Sequence, residues 1–245
     1  MTAQTQNPAY RPTPAPDPPH ASTRPVWAIA DTHLGAAVGK TMDRFGAIWY
    51  GHKDKILANA WKAVGPEDVL LLPGDLSWAM TRAEARPDLA FLAALPGIKI
   101  AIKGNHDYWW DSGKPISYPG LLSPPIILDD GALGIAGTRG WFVPPSGDPG
   151  EPANRKVLER ERKRLVDSLS AIAHCDIRIA MTHYPPQPFL PELKAAGVTV
   201  VAYGHIHLGS LPEDEALAVD GEAIDGIPLH CVACDRIGFI PRRIL

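Results

Sequence analysis

The sequence predicts an α/β fold, and three observations carry the prediction. Short apolar runs recur along the chain, among them "VWAIA", "DVLLLPG", "IKIAIKG", "IRIAMT" and "VTVVAYG". Runs of about four to eight residues rich in Val and Ile and bounded by Gly or Pro read as central strands. Helical patterns lie between them, at residues 53–64, 82–95 and 152–173. Several apolar runs also end in polar residues unsuited to a core, and in α/β proteins sites gather at the carboxyl ends of strands.

Taken in order, the first 25 residues, "MTAQTQNPAYRPTPAPDPPHASTRP", contain seven prolines and no apolar centre of a signal peptide. Such a composition cannot bury enough surface to offset ordering, so residues 1–25 read as a disordered tail and 26–245 as a single domain. "VWAIA" is the first strand and leads into Asp31 and His33; "DVLLLPG" leads into Asp75. The helix at 82–95 contains Pro87, where a kink is expected. "IKIAIKG" runs into Asn105 and His106. The helix at 152–173 opens with Glu151-Pro152 and sets Leu158, Leu165, Leu169 and Ile172 on one face. Its charge run "ERERKR" reads as the solvated face. "IRIAMT" then leads into His183, and "VTVVAYG" into His205 and His207. No internal repeat and no second domain boundary is evident.

The 245 residues are 45% hydrophobic and 21% charged, the profile of an ordinary soluble globular protein. A net charge of −3 supplies no global basic field, so nucleic acid is a disfavoured partner. No apolar run approaches the roughly 20 residues that span a bilayer. Cys175, Cys231 and Cys234 are too few for a disulfide framework and fit a reducing cytoplasm. If "IPLHCVACDRIGFI" is a strand, Cys231 and Cys234 point to opposite faces and read as buried residues rather than metal ligands. Nothing in the sequence speaks to oligomeric state.

Five of the nine histidines sit at strand ends: His33, His106, His183, His205 and His207. His20, His52, His174 and His230 do not, and read as surface or core residues. Buried imidazoles and carboxylates are costly unless paired or bound to metal, so five histidines beside Asp31, Asp75 and Asn105 point to a metal site. Asp31 and His33 are two apart, as are His205 and His207, and residues two apart in extended backbone share a face. A carboxylate, imidazole and amide set suits manganese foremost, and also iron, zinc, cobalt or nickel, better than calcium.

Asp31-x-His33, Gly74-Asp75, Gly104-Asn105-His106-Asp107, His183 and Gly204-His205-x-His207 stand in the order of the motifs that the calcineurin-like metallophosphoesterases carry. The chain resembles that superfamily from about residue 26 to 210. The resemblance implies a four-layer α/β/β/α sandwich of two mixed sheets flanked by helices, with two divalent metal ions at the sheets' edge. It also implies that Asp31, His33 and His207 hold one metal, that Asn105, His183 and His205 hold the other, and that Asp75 bridges them. His106 would not ligate but would stabilise the phosphoryl group or protonate the leaving oxygen. The expected activity is phosphate-ester hydrolysis by a metal-bound hydroxide, on small, nucleotide-type monoesters and diesters. A DNA or RNA nuclease of the same superfamily is the second reading, weakened by the acidic balance. A metal-free protein-binding scaffold is the third, and such a protein would be expected to have lost ligands.

The pattern departs from the Ser/Thr protein phosphatases of this superfamily. They carry Gly-Asp-x-x-Asp-Arg-Gly, where the second Asp orients the catalytic His; here the residue at that position is Trp78. Asp107 is a candidate partner for His106 or a brace for the loop backbone. Trp78, Tyr108, Trp109 and Trp110 read as packing beneath the metal loops. Loops 34–52 and 137–151 are the places for specificity, the second offering Arg139 to a phosphate and Trp141 as a stacking surface.

Overall fold

The computed structural model describes residues 24–142 and 151–245. The proline-rich stretch to residue 23 and residues 143–150 of the second specificity loop lie outside the described residues. In chain order the main elements are β1 (Val26–Ala28), α1 (His52–Ala63), β2 (Val69–Leu72), α2 (Arg82–Ala93), β3 (Ile98–Ala101), β4 (Leu121–Leu122), β5 (Ile126–Leu128) and β6 (Leu133–Thr138). There follow α3 (Pro152–Ala171), β7 (Ile177–Thr182), α4 (Leu190–Ala195), β8 (Val200–Tyr203), α5 (Pro212–Glu215), β9 (Asp220–Ile224), β10 (Ile227–Cys231) and β11 (Arg242–Arg243).

The strands form two mixed sheets, ordered β11-β1-β2-β3-β4 and β5-β6-β7-β8-β10-β9. In the first, β1 to β4 run parallel and β11 is antiparallel at the edge. In the second, β6, β7, β8 and β10 run parallel between antiparallel β5 and β9. The period of two along each strand makes the layers. Val69 and Leu71 of β2 turn inward and pack with Ile100, Ile135, Ile179 and Met181 between the sheets. Leu70 and Leu72 turn outward onto Ile56 and Ala60 of α1 and Leu89 and Leu92 of α2. On the far side Ala180, Val201 and Tyr203 meet Leu165 and Leu169 of α3 and Leu193 of α4. The result is the expected helix–sheet–sheet–helix sandwich.

Local sequence explains the helix ends. Thr81 caps α2, accepting from the Glu84 N–H at 3.3 Å while the Glu84 carboxylate accepts from the Thr81 N–H at 3.1 Å. Pro87 stands inside α2 and removes one helical donor. Pro152 opens α3, where its missing N–H costs nothing. Arg24 and Pro25, assigned to the tail from sequence, hold the start of β1: Arg24 pairs with Asp129 at 2.7 Å, and the Pro25 carbonyl accepts from Val69 N–H at 3.0 Å. The run "ERERKR" is not wholly solvated: Glu161 is fully buried, because its carboxylate is bonded by Thr138 and Arg164. Cys231 ends β10 and Cys234 lies in the turn beyond it, both buried with free thiols. Among the described residues no helix is long and apolar enough to cross a membrane.

Because Leu71 fills the space between the sheets, Leu71→Ala is expected to cost about 2–5 kcal/mol in urea denaturation. Leu122→Ala, at an exposed position on the edge strand β4, should cost under about 1 kcal/mol. Equal losses would show that the inter-sheet layer is not the main core.

Candidate metal centre

Parallel strands deliver their carboxyl ends to one edge, and the polar residues arrive there together. Asp31 follows β1, Asp75 follows β2, Asn105 and His106 follow β3, His183 follows β7, and His205 and His207 follow β8. Beyond β1 the chain leaves its own sheet: Ala30 pairs with Ala233, its N–H donating to the Val232 carbonyl at 2.8 Å and its carbonyl accepting from Cys234 N–H at 3.0 Å. The two sheets are thereby stitched at the site. The Asp31 N–H then donates to the Gly74 carbonyl and the His33 N–H to the Asp75 carbonyl, each at 3.0 Å, which locks the first two loops in register.

The paired candidate residues are placed by another route than the pleat expected for extended backbone. Asp31, His33, Asp75 and His205 have φ of 58°, 42°, 52° and 73°, all left-handed. Such conformations are sparsely populated outside glycine and persist where the surroundings over-determine them. Three motif glycines make the close approach feasible. A Cβ on Gly104 would lie 2.1 Å from an Asp75 carboxylate oxygen, and one on Gly204 2.3 Å from an Asp31 carboxylate oxygen. One on Gly74 would meet the Gly104 backbone and the His183 ring at 2.8 Å.

Donor atoms of Asp31, His33 and His207 lie within 4.8 Å of one another, as do those of Asp31, Asp75 and His183. These residues could hold metal ions. One Asp75 oxygen stands 3.8 Å from His33 Nε2 and 3.5 Å from His183 Nε2, between the two groups. Asn105 belongs to the same site, its Oδ1 2.6 Å from His183 Nε2. His205 is not in either donor cluster; its ring lies beside His183, centroids 5.2 Å apart, while its N–H donates to Asp31.

The donor chemistry fits cations. His183 Nδ1 faces the Pro73 carbonyl at 3.0 Å; a carbonyl only accepts, so the proton sits on Nδ1 and the Nε2 lone pair points at Asn105 Oδ1, another acceptor. His207 Nδ1 likewise faces Asp235 at 3.0 Å, which turns Nε2 toward His33 Nε2 at 3.2 Å. His33 Nδ1 is buried without a partner among the described residues. At His183 an acceptor thus faces an acceptor, which is unfavourable until a positive charge sits between them. Burial and neighbouring imidazoles push His33 well below the usual histidine range, and push His183 and His205 down to about 3, so these rings are neutral. Burial raises Asp31 and Asp75. For His207 burial opposes charging, yet Asp235 and Asp31 outweigh it and lift the ring to about 9.

His106 stays off the donor clusters. Its ring packs on Trp78, centroids 4.5 Å apart, and Trp78 in turn stacks on His33 at 4.7 Å and 19°. Among the described residues no carboxylate bonds the His106 ring. Asp107 is a brace: it accepts from Leu76, Ser77 and Gly104 N–H at 2.9, 3.0 and 2.8 Å and from the Trp109 indole at 3.1 Å. Trp109 and Trp110 are buried and stacked on each other, packed in the core beneath the loops; Trp141 packs edge-on to Tyr184. The Arg139 carbonyl accepts from His183 N–H at 3.0 Å, and its guanidinium lies 4.0 Å from Glu161.

Three supporting residues escaped the sequence reading. Asp235 was overlooked although it follows an apolar run as the other carboxylates do. His52, set aside, contacts the Thr32 carbonyl at 3.1 Å. Asp88, inside α2, accepts from Ser77 Oγ at 2.5 Å and from Ala36 N–H at 3.2 Å.

Gly104→Ala should drive Asp75 from its place, since the new methyl and the carboxylate cannot coexist. The expected outcome is loss of retained divalent metal by elemental analysis, with near-native circular dichroism. Wild-type metal content would show that the loop yields.

The architecture and the match to known families agree. The family model for calcineurin-like phosphoesterases matches residues 24–209. No curated protein matches. Among solved structures, the chain is similar to a phosphopantetheinyl hydrolase of Mycobacterium tuberculosis, with 15% identity, 91% of this chain and 96% of that one covered, and a TM-score of 0.56. A protein of unknown function from Aquifex aeolicus matches with 16% identity, 90% and 95% coverage and a TM-score of 0.46. From the ordered motifs, the sandwich and the matched family model together, the chain belongs to the calcineurin-like phosphoesterase family.

Proposed function

We propose that this phosphoesterase uses two divalent cations, manganese foremost, to hydrolyse small phosphate esters, with diesters as well as monoesters accepted and nucleotide-type substrates favoured. The observation that carries the reading is the pair of donor clusters, which share Asp31, together with one Asp75 oxygen 3.8 Å from His33 Nε2 of the first and 3.5 Å from His183 Nε2 of the second. Asp31, His33 and His207 are assigned to one cation, Asn105, His183 and His205 to the other, and Asp75 to both. When bound, such a pair supplies a nucleophilic water at neutral pH and neutralises charge on the phosphate. Asp235 fixes the ring of His207 and keeps it basic, and the Pro73 carbonyl fixes the orientation of the neutral His183 ring.

His106 is assigned the proton for the leaving oxygen. It stands next to the metal loop yet outside the donor clusters, held by its own N–H, which donates to Asp75 at 2.8 Å, and by the face of Trp78. An aromatic face in place of an orienting carboxylate separates this site from that of the protein phosphatases. Trp141, next to Tyr184, remains the stacking surface suited to a base, and Arg139 a partner for phosphate. The Mycobacterium tuberculosis neighbour, by its name a hydrolase, shares the fold; the substrate class here is argued from this chain's own residues.

Chelated protein should be inactive on bis-p-nitrophenyl phosphate and recover with Mn²⁺. Bound metal absent by elemental analysis, with activity indifferent to chelator, would remove the mechanism. Asp235→Asn is expected to weaken metal affinity by about 10–100-fold, because the imidazole loses its anionic partner. His106→Ala should keep its metal and lose about 10²–10⁴-fold in kcat, more for an alkoxide than for a p-nitrophenolate leaving group. Equal losses on both substrates would take His106 out of the acid role. Phosphopeptides should be poor substrates; their rapid turnover with none of diesters would restore the protein phosphatase.

A further inference from the structure

A cavity of about 530 Å³ lies beside the metal centre, lined in part by Lys103, Trp110, Lys114, Arg139, Glu161 and Arg164. It begins where the metal loops begin. Lys103 stands two residues before Asn105, and the Arg139 carbonyl holds the His183 N–H. Its far wall is α3, through the segment that the sequence marked as a solvated charge run.

Charge in this cavity is unbalanced. Among the described lining residues Lys103, Lys114, Arg139 and Arg164 stand against Glu161 and Asp167, four cations to two carboxylates, with Asp111 pairing Lys114 at 3.3 Å on the surface side. Glu161 is fully buried, with Arg164 at 2.7 Å, Arg160 at 3.3 Å and Arg139 at 4.0 Å around it. One carboxylate cannot neutralise three guanidiniums. Arg139 Nε is moreover buried with no hydrogen-bond partner among the described residues, a donor that is costly to leave unpaired. Guanidinium forks match phosphate oxygens two at a time. The remaining wall, Ile102, Pro115, Pro124 and Pro125 with Trp110, suits an organic body, and the volume lies within the usual range of roughly 300–1,000 Å³ for ligand sites.

Building on the phosphohydrolase reading, we propose that this cavity is an anion subsite for a second phosphate, so that the preferred substrate is a phosphate ester whose organic part carries another phosphoryl group. Glu161 acts as the positioning residue, gathering Arg139 and Arg164 to one wall. Lys114 completes the other wall, its ammonium otherwise paired with Asp111 at 3.3 Å on the surface.

The test is calorimetric titration of Mn²⁺-loaded protein with adenosine 3′,5′-bisphosphate and adenosine 5′-monophosphate in their non-hydrolysable phosphonate forms. One phosphonate can then rest at the metal centre, so the difference between the two ligands reports on the cavity. The bisphosphate should bind about tenfold more tightly than the monophosphate, and less tightly as salt rises. Arg164→Gln and Lys114→Gln should each weaken it about fivefold or more, and Arg164→Lys should recover part of the loss. Lys114 is exposed, so its replacement tests the subsite even if Arg164→Gln disturbs α3. Equal affinities for the two nucleotides, or unchanged affinity in both Gln variants, would overturn the proposal. Turnover of bis-p-nitrophenyl phosphate with Mn²⁺ is measured separately. A protein that turns it over but ignores the second phosphate loses the subsite alone, and one that binds the bisphosphate without turnover loses only the phosphohydrolase reading.

Discussion

Two carboxylates, Asp31 and Asp75, are buried side by side where the sheets meet, and the rest of the seam follows from that. Each raises the cost of ionising the other, on top of the cost of leaving water. The fold answers with donors. The His205 N–H points at Asp31 and the His106 N–H at Asp75, at 3.0 and 2.8 Å, and neutral imidazoles crowd around both. These donors are too weak to offset two buried anions fully. His207, lifted to about 9, is shared between Asp31 and Asp235, so the site still lacks enough positive charge to match its carboxylates, the attribute a divalent cation brings.

Holding the loops in left-handed backbone requires a second tier of carboxylates. Asp107 gathers three backbone N–H groups from the segments after β2 and β3, and Asp88 ties Ser77 and Ala36 to α2. Asp235 does the same beyond β10, accepting from the His207 ring and from Leu208 N–H at 2.9 Å. Each of these carboxyl groups bonds backbone or ring N–H groups, and each is buried. The ligand loops are rigid for the same reason a capped helix end is: their orphan donors have permanent acceptors.

The strands and the α/β class were legible because apolar runs with a clear period ended in residues that a core would reject, while the sandwich and the assignment of candidate ligands came from the resemblance of the ordered motifs to a known family. What stayed hidden depended on distance in sequence. Glu161 sits in a run of charges whose pattern says surface, and only the partners brought by β6, Thr138 and Arg139, show why it is inside. The convergence of Asp31 with His33 was expected from an extended pleat, while the chain uses left-handed turns, which no residue pattern there announces. Asp107 could be a partner of His106 or a brace from sequence; the loop backbone it holds comes partly from a segment about 30 residues earlier, where its bonds to Ser77 and Leu76 span 30 and 31 positions.

The pairing of Ala30 with Ala233 sets an order of events on the chain. The Cys234 thiol donates to the Asp31 carbonyl across 203 positions of sequence. Closing so large a loop costs only slowly more than closing a shorter one, but such long-range parallel contacts are slow to find. The hairpin of β9 and β10 and the helices rest on contacts that are local in sequence. The knot of backbone that aligns Asp31 with the segment after β10 must wait until both sheets exist. Competence to hold a cation is therefore a property of the nearly native molecule, acquired at the close of folding rather than carried by any fragment.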